Sequence, residues 1–239
     1  MTAWNRPMGW GDRRTTAYVA LIATPILLTI WRYRGSASNG FPSLFVLVAE
    51  SQGGYDLVAY FWQFGSFFLL CFAVPYLLLR GRPPRPSAEL GLALPRSPRA
   101  IALTLLAVPL LVAPAAWIGA QMPDVRAAYP MLQALHTRPD LVLPYEAAYV
   151  LLYYVAWEFF FHGYLLFTLK SEYGAVTAVL IQTLASCLVH IGKPEAEILG
   201  SIPVGILFGV IALRTRSIWP TFLLHASLGV MTDLFVLRG

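Results

Sequence analysis

The chain has 239 residues, of which 58% are hydrophobic and only 12% charged, and its mean hydropathy is +0.64. Soluble domains carry about a quarter charged residues, so this composition excludes an ordinary soluble protein and fits a polytopic membrane domain. The pI near 9.4 points to no nucleic-acid partner, because the arginines lie between apolar runs, where topology signals belong.

In chain order, residues 1–16 form a polar lead with Arg6, Arg13 and Arg14. The apolar run 17–31 predicts a first membrane helix. With Ser36-Ala37-Ser38 behind it, the run also fits a secretory signal and its cleavage site, but the chain goes on to insert many times, which favours the helix. A second helix is expected over 57–79, ending in a basic, proline-rich linker over 80–99, and a third over 100–120, with Pro109 and Pro114 tolerated as they are in membrane helices. The connector 121–140 holds His136 among Thr137, Arg138 and Pro139 and reads as solvated loop. Four further helices are expected at 141–169, 174–190, 195–214 and 217–237. Gly205 and Gly209 form a small-xxx-small pair, which predicts a close helix contact. The expected fold is therefore an all-α polytopic bundle of about seven transmembrane helices. It is one integral-membrane domain, with three helices and their connectors in 1–140 and a four-helix core in 141–239. Cys71 and Cys187 sit inside apolar runs with no metal-type spacing.

With the N-terminus on the cytoplasmic side, eleven of the seventeen lysines and arginines fall in cytoplasmic segments, the bias expected of inner-side loops. At ~1.5 Å of rise per residue, His162 and His225 lie ~12 Å from the cytoplasmic ends of their helices, Glu158 ~18 Å, and His190 and Glu197 ~24–26 Å. Three of the four histidines and three acids, counting Asp233, thus share one band across four helices, which predicts a polar chamber.

Its centre is Trp157-Glu158-Phe159-Phe160-Phe161-His162. Glu158 and His162, four residues apart, share a helix face, and each costs ~2.5–3.5 kcal/mol in mid-bilayer unless paired or wetted. Glu195 and Glu197 begin a helix after Pro194, where acids suit the helix dipole; Glu195 reads as that alone. Glu146 and Asp233 lie near helix ends and read as structural. Three histidines and a carboxylate could also bind zinc, but no His-Glu-x-x-His spacing occurs, and no cofactor is expected.

The acid–aromatic–Gly-Tyr-Leu run, the later intramembrane His190 and the Leu223-Leu224-His225 helix together resemble the CPBP family. This membrane family includes type II CAAX prenyl endopeptidases and bacteriocin-processing or immunity proteins. The resemblance covers about 145–233. Its motifs are Glu-Glu-x-x-x-Arg, Phe-x-x-x-His and His-x-x-x-Asn. Glu158 matches the second glutamate, His190 the second-motif histidine and His225 the third-motif histidine. Trp157 stands where the first glutamate, the usual water-activating base, would be; His162 replaces the arginine, Ser186 the phenylalanine and Gly229 the asparagine.

The resemblance implies an intramembrane endopeptidase acting on membrane-associated protein or peptide substrates in a bacterial cytoplasmic membrane. In the expected mechanism Glu158 and His190 polarise a water, Glu197 stands in for the missing base, His162 orients Glu158 and His225 donates to the oxyanion. Two alternatives come from other classes. An inactive pseudoprotease would bind membrane partners or confer immunity, and the loss of the first glutamate is its support. A proton-coupled carrier would use the same residues as a relay, against which stands the lack of internal repeats.

Overall fold

The computed structural model describes residues 12–39, 52–79 and 87–239. Arg6 and the linker arginines Arg80, Arg82 and Arg85 lie outside the described residues. The described residues contain helices and turns but no strand. Among the described residues six helices are long and apolar enough to cross a membrane: α1 (Arg13–Gly35), α2 (Asp56–Leu79), α3 (Pro98–Gly119), α4 (Pro139–Tyr173), α6 (Glu195–Thr215) and α7 (Trp219–Arg238). Between them α5 (Ala175–Val189) is apolar but shorter. The chain is thus an all-α polytopic bundle. His136 is exposed on a short 3-10 turn.

Helix α4 is the most buried and α3 the least. It runs through the middle of the bundle and packs against α1, α2, α5, α6 and α7. Its composition explains the position: Phe159, Phe160, Phe161 and Tyr164 are all fully or almost fully buried, and a helix apolar all round stays inside the bundle. Two π-helical stretches, Tyr149–Tyr154 and Phe159–Leu165, bracket the single α-helical turn Val155–Glu158. A π turn brings i and i+5 into line, and accordingly the Tyr149 and Tyr154 rings lie 4.5 Å apart. Such widened turns concentrate at functional sites.

The contact predicted from Gly205 and Gly209 joins α6 to α5. A Cβ on Gly209 would lie 2.9 Å from Gln182 Nε2 and 3.2 Å from Val179, and one on Gly205 would lie 3.1 Å from Thr183. The bare backbone lets the buried Gln182 amide donate to the Gly205 carbonyl at 2.8 Å, a helix-to-helix bond inside the apolar region. Gly209→Val should therefore destabilise the protein by about 1–3 kcal/mol through overpacking. Gly65→Ala on α2, where a Cβ meets nothing within 4 Å, should be neutral or slightly stabilising. Thermal unfolding of both variants in detergent checks the pair.

A loop after the basic linker straps α4 to the start of α7. Gly91 takes φ +76°, in the region glycine tolerates. Its carbonyl accepts from the Ile218 amide at 2.9 Å, and the Trp219 indole donates to the Leu92 carbonyl at 2.9 Å. The Leu90 carbonyl would lie 2.8 Å from a Cβ on Gly163, so that glycine is what lets the strap reach α4.

Candidate active site

Two helices, α4 and α7, meet at Glu158. Its carboxylate is fully buried and uses one oxygen for each of two histidines. His162 Nδ1 donates to Oε2 at 2.8 Å and His225 Nδ1, from α7, to Oε1 at 2.7 Å. Charge-assisted hydrogen bonds of this length are strong where water is excluded. They fix both imidazoles with Nε2 turned away from the acid. The Nε2 of His162 is buried with no partner.

His190 caps α5, where its Nδ1 donates to the Ser186 carbonyl at 2.8 Å. In the neutral imidazole that bond leaves Nε2 as an acceptor. Nε2 lies 3.9 Å from Glu197 Oε1, too long for a direct hydrogen bond. Glu197 is held from its other side: the Tyr129 hydroxyl contacts its two oxygens at 2.8 and 2.7 Å. The Lys193 ammonium donates to the Tyr129 oxygen at 3.0 Å and stands 4.6 Å over the Tyr129 ring. Burial pushes the Tyr129 hydroxyl well above its usual range, so it remains a neutral donor to Glu197 at physiological pH. Burial lowers the Lys193 ammonium below the ordinary lysine range, with Glu197 acting in the opposite direction.

Both groups line one cavity of about 300 Å³, walled by Trp157, Phe208 and Tyr154 and containing His162, His190, Glu197 and His225. Trp157 sets its floor, with its ring 5.1 Å from that of His190 and 5.9 Å from that of His225. All five residues singled out from the sequence therefore gather in one place, four of them on the cavity wall and Glu158 behind two of these. The expected pairing of Glu158 with His190 is replaced by two separate arrangements, because both Glu158 oxygens are taken up by His162 and His225. Glu146 and Asp233 are buried but do not line the cavity.

Sequence reasoning did not find Tyr129 or Tyr154. Each lies outside the three motifs, and its chemistry depends on a neighbour far along the chain. For Lys193, its position four residues before Glu197 was the available signal. Among the described residues no group of three His, Cys, Asp or Glu side chains is arranged to hold a metal ion.

A search of curated proteins and a search of solved structures each returned no match. Residues 139–231 match the family model described as Type II CAAX prenyl endopeptidase Rce1-like. That segment, less than half of the chain, holds Glu158, His162, His190, Glu197 and His225 and is similar to that family.

Proposed function

We propose that the protein is an intramembrane endopeptidase in which His190 and Glu197 activate a water and His225, braced by Glu158, meets the carbonyl oxygen. The observation that carries this reading is the meeting of a free-facing His190 Nε2 and a pinned Glu197 with His225 in one cavity. A water beside His190 gives a hydrogen to Nε2, and the Glu197 carboxylate offsets the positive charge that develops on the ring. The water oxygen forms a bond to the scissile carbonyl carbon, and the negative charge moves onto the carbonyl oxygen. His225 donates to that oxygen from Nε2 as an imidazolium whose charge Glu158 balances. Collapse breaks the C–N bond, and the proton held at His190 passes to the departing nitrogen. The products are one new carboxylate and one new amine. The substrates of this reading are membrane-associated proteins or peptides, the N-terminus faces the cytoplasm, and no cofactor is required.

In this reading His190 takes the water-activating role that the resemblance gives to an acid at position 157, and Glu197 is its counter-charge. The test compares peptide N-termini in membranes from cells carrying wild type or Glu197→Gln. Termini that form only with wild type support the reading and name the target. Identical profiles, with both proteins folded and inserted, overturn it in favour of the binding protein without catalysis. The specific observation on that side is the Trp157 ring, which fills the space between two histidines where an acid would otherwise reach water.

The Lys193–Tyr129–Glu197 chain also sets a pH dependence. Lys193 carries its charge below its lowered pKa and loses it above, and without it Tyr129 is less firmly held on Glu197. Activity should therefore fall on the alkaline side at a pH below the ordinary lysine range. Lys193→Arg keeps its charge throughout and should move that limb to higher pH, as read from pH–rate profiles of the two proteins.

A further inference from the structure

The hydroxyl of Tyr154 stands in a space that belongs geometrically to another residue. Gly229 lies four residues after His225 on α7, on the same face and lining the same cavity. A Cβ added there would collide with the Tyr154 hydroxyl and would come within 2.6 Å of its Cζ. Position 229 thus has no room for a side chain, because a phenol from α4 already fills that volume. The Tyr154 ring meets His225 edge-on, with centroids 4.8 Å apart, and Tyr154 itself lines the cavity.

The placement of its hydroxyl follows from the same geometry. The π turn sets the Tyr149 ring 4.5 Å from that of Tyr154, tilted by 40°, and the Tyr154 oxygen lies where a Cβ of Gly229 would be, at the cavity wall. The cavity is therefore the side to which its hydrogen can be given. A phenol donor fixed next to a histidine on one cavity wall has the form of an oxyanion-binding pair.

We infer that Tyr154 is a catalytic residue, the second donor to the oxyanion beside His225. The inference rests on the peptidase reading above. The carbonyl oxygen, on becoming negative, accepts from Tyr154 and from His225 together; Tyr154 keeps its proton, and only the strength of its hydrogen bond changes between ground and transition state. Gly229 is the condition for this arrangement, since any larger residue displaces the phenol.

The experiment uses the full-length protein in detergent micelles and, as probe, a pool of internally quenched peptides of randomised sequence carrying a lipid anchor. Tyr154→Phe keeps the ring and its packing and removes only the donor. The expected result is a fall in kcat of about 10²–10³, with KM and thermal stability near wild type, because a bond formed only in the transition state leaves substrate binding alone. Gly229→Ala should lower kcat as well, by displacing the hydroxyl. If Tyr154→Phe turns over at the wild-type rate while His190→Ala is inactive, the inference falls and the peptidase reading stands. If the Tyr154→Phe loss appears in KM with kcat unchanged, the residue binds substrate and the oxyanion role is wrong. If the folded wild type cleaves nothing in the pool, the peptidase reading and this inference fall together.

Discussion

Replacing His190 by alanine is expected to lower kcat by about 10²–10⁴, the usual contribution of a positioned acid–base group, with little loss of stability. The side chain is 12% exposed at the cavity wall, and its one hydrogen bond runs to the Ser186 carbonyl within its own helix end. Its removal therefore leaves no charge buried, only a wetter cavity. The contrast between a large kinetic and a small thermodynamic effect is the signature to look for. Single-turnover cleavage in micelles gives the first and thermal unfolding the second. A variant that fails on both counts would instead make His190 a structural residue and remove the proposed base.

Glu158→Ala is expected to show the opposite balance. Both carboxylate oxygens are in use, and neither His162 Nδ1 nor His225 Nδ1 has another acceptor. Orphaning a buried donor costs about 1–3 kcal/mol; that applies to His162, while His225 is 21% exposed and adds less, so the protein should lose at least about 1–3 kcal/mol. Glu158→Gln should fall between, since the amide offers one acceptor oxygen and sets an N–H₂ against the other imidazole. Activity should be lost in both variants because His225 loses its orientation, and thermal unfolding should rank them in that order. A Glu158→Ala protein as stable as wild type would show that the two histidines do not depend on this acid.

The bundle was legible because lipid imposes a length on every spanning helix. Each expected helix falls within a few residues of an observed one, from 17–31 inside α1 to 217–237 across α7. The depths were legible for the same reason. His162 and His225, both placed at ~12 Å, meet the same acid, while His190 and Glu197, both placed deeper, stand together. The choice of partner for Glu158 could not be read this way. Depth ranks residues along a helix but gives no rotation about its axis, and the two π stretches around Val155–Glu158 shift that rotation. Tyr154 was hidden by the same shift, and Gly229 looked like the loss of a functional side chain when it is the vacancy that another fills. Tyr129 lies in the connector before α4, 68 residues from Glu197, and no periodicity links the two.

The shortness of α5 has a consequence for the bilayer around it. Fifteen residues span only ~22 Å, whereas a hydrocarbon core is ~30 Å thick. A helix that falls short draws the lipid surface inward or lets water in over its end. One of its two ends is capped by His190. A shortfall met at that end would dent the membrane at the rim of the cavity and bring solvent to the one nitrogen that needs it without a channel through the protein.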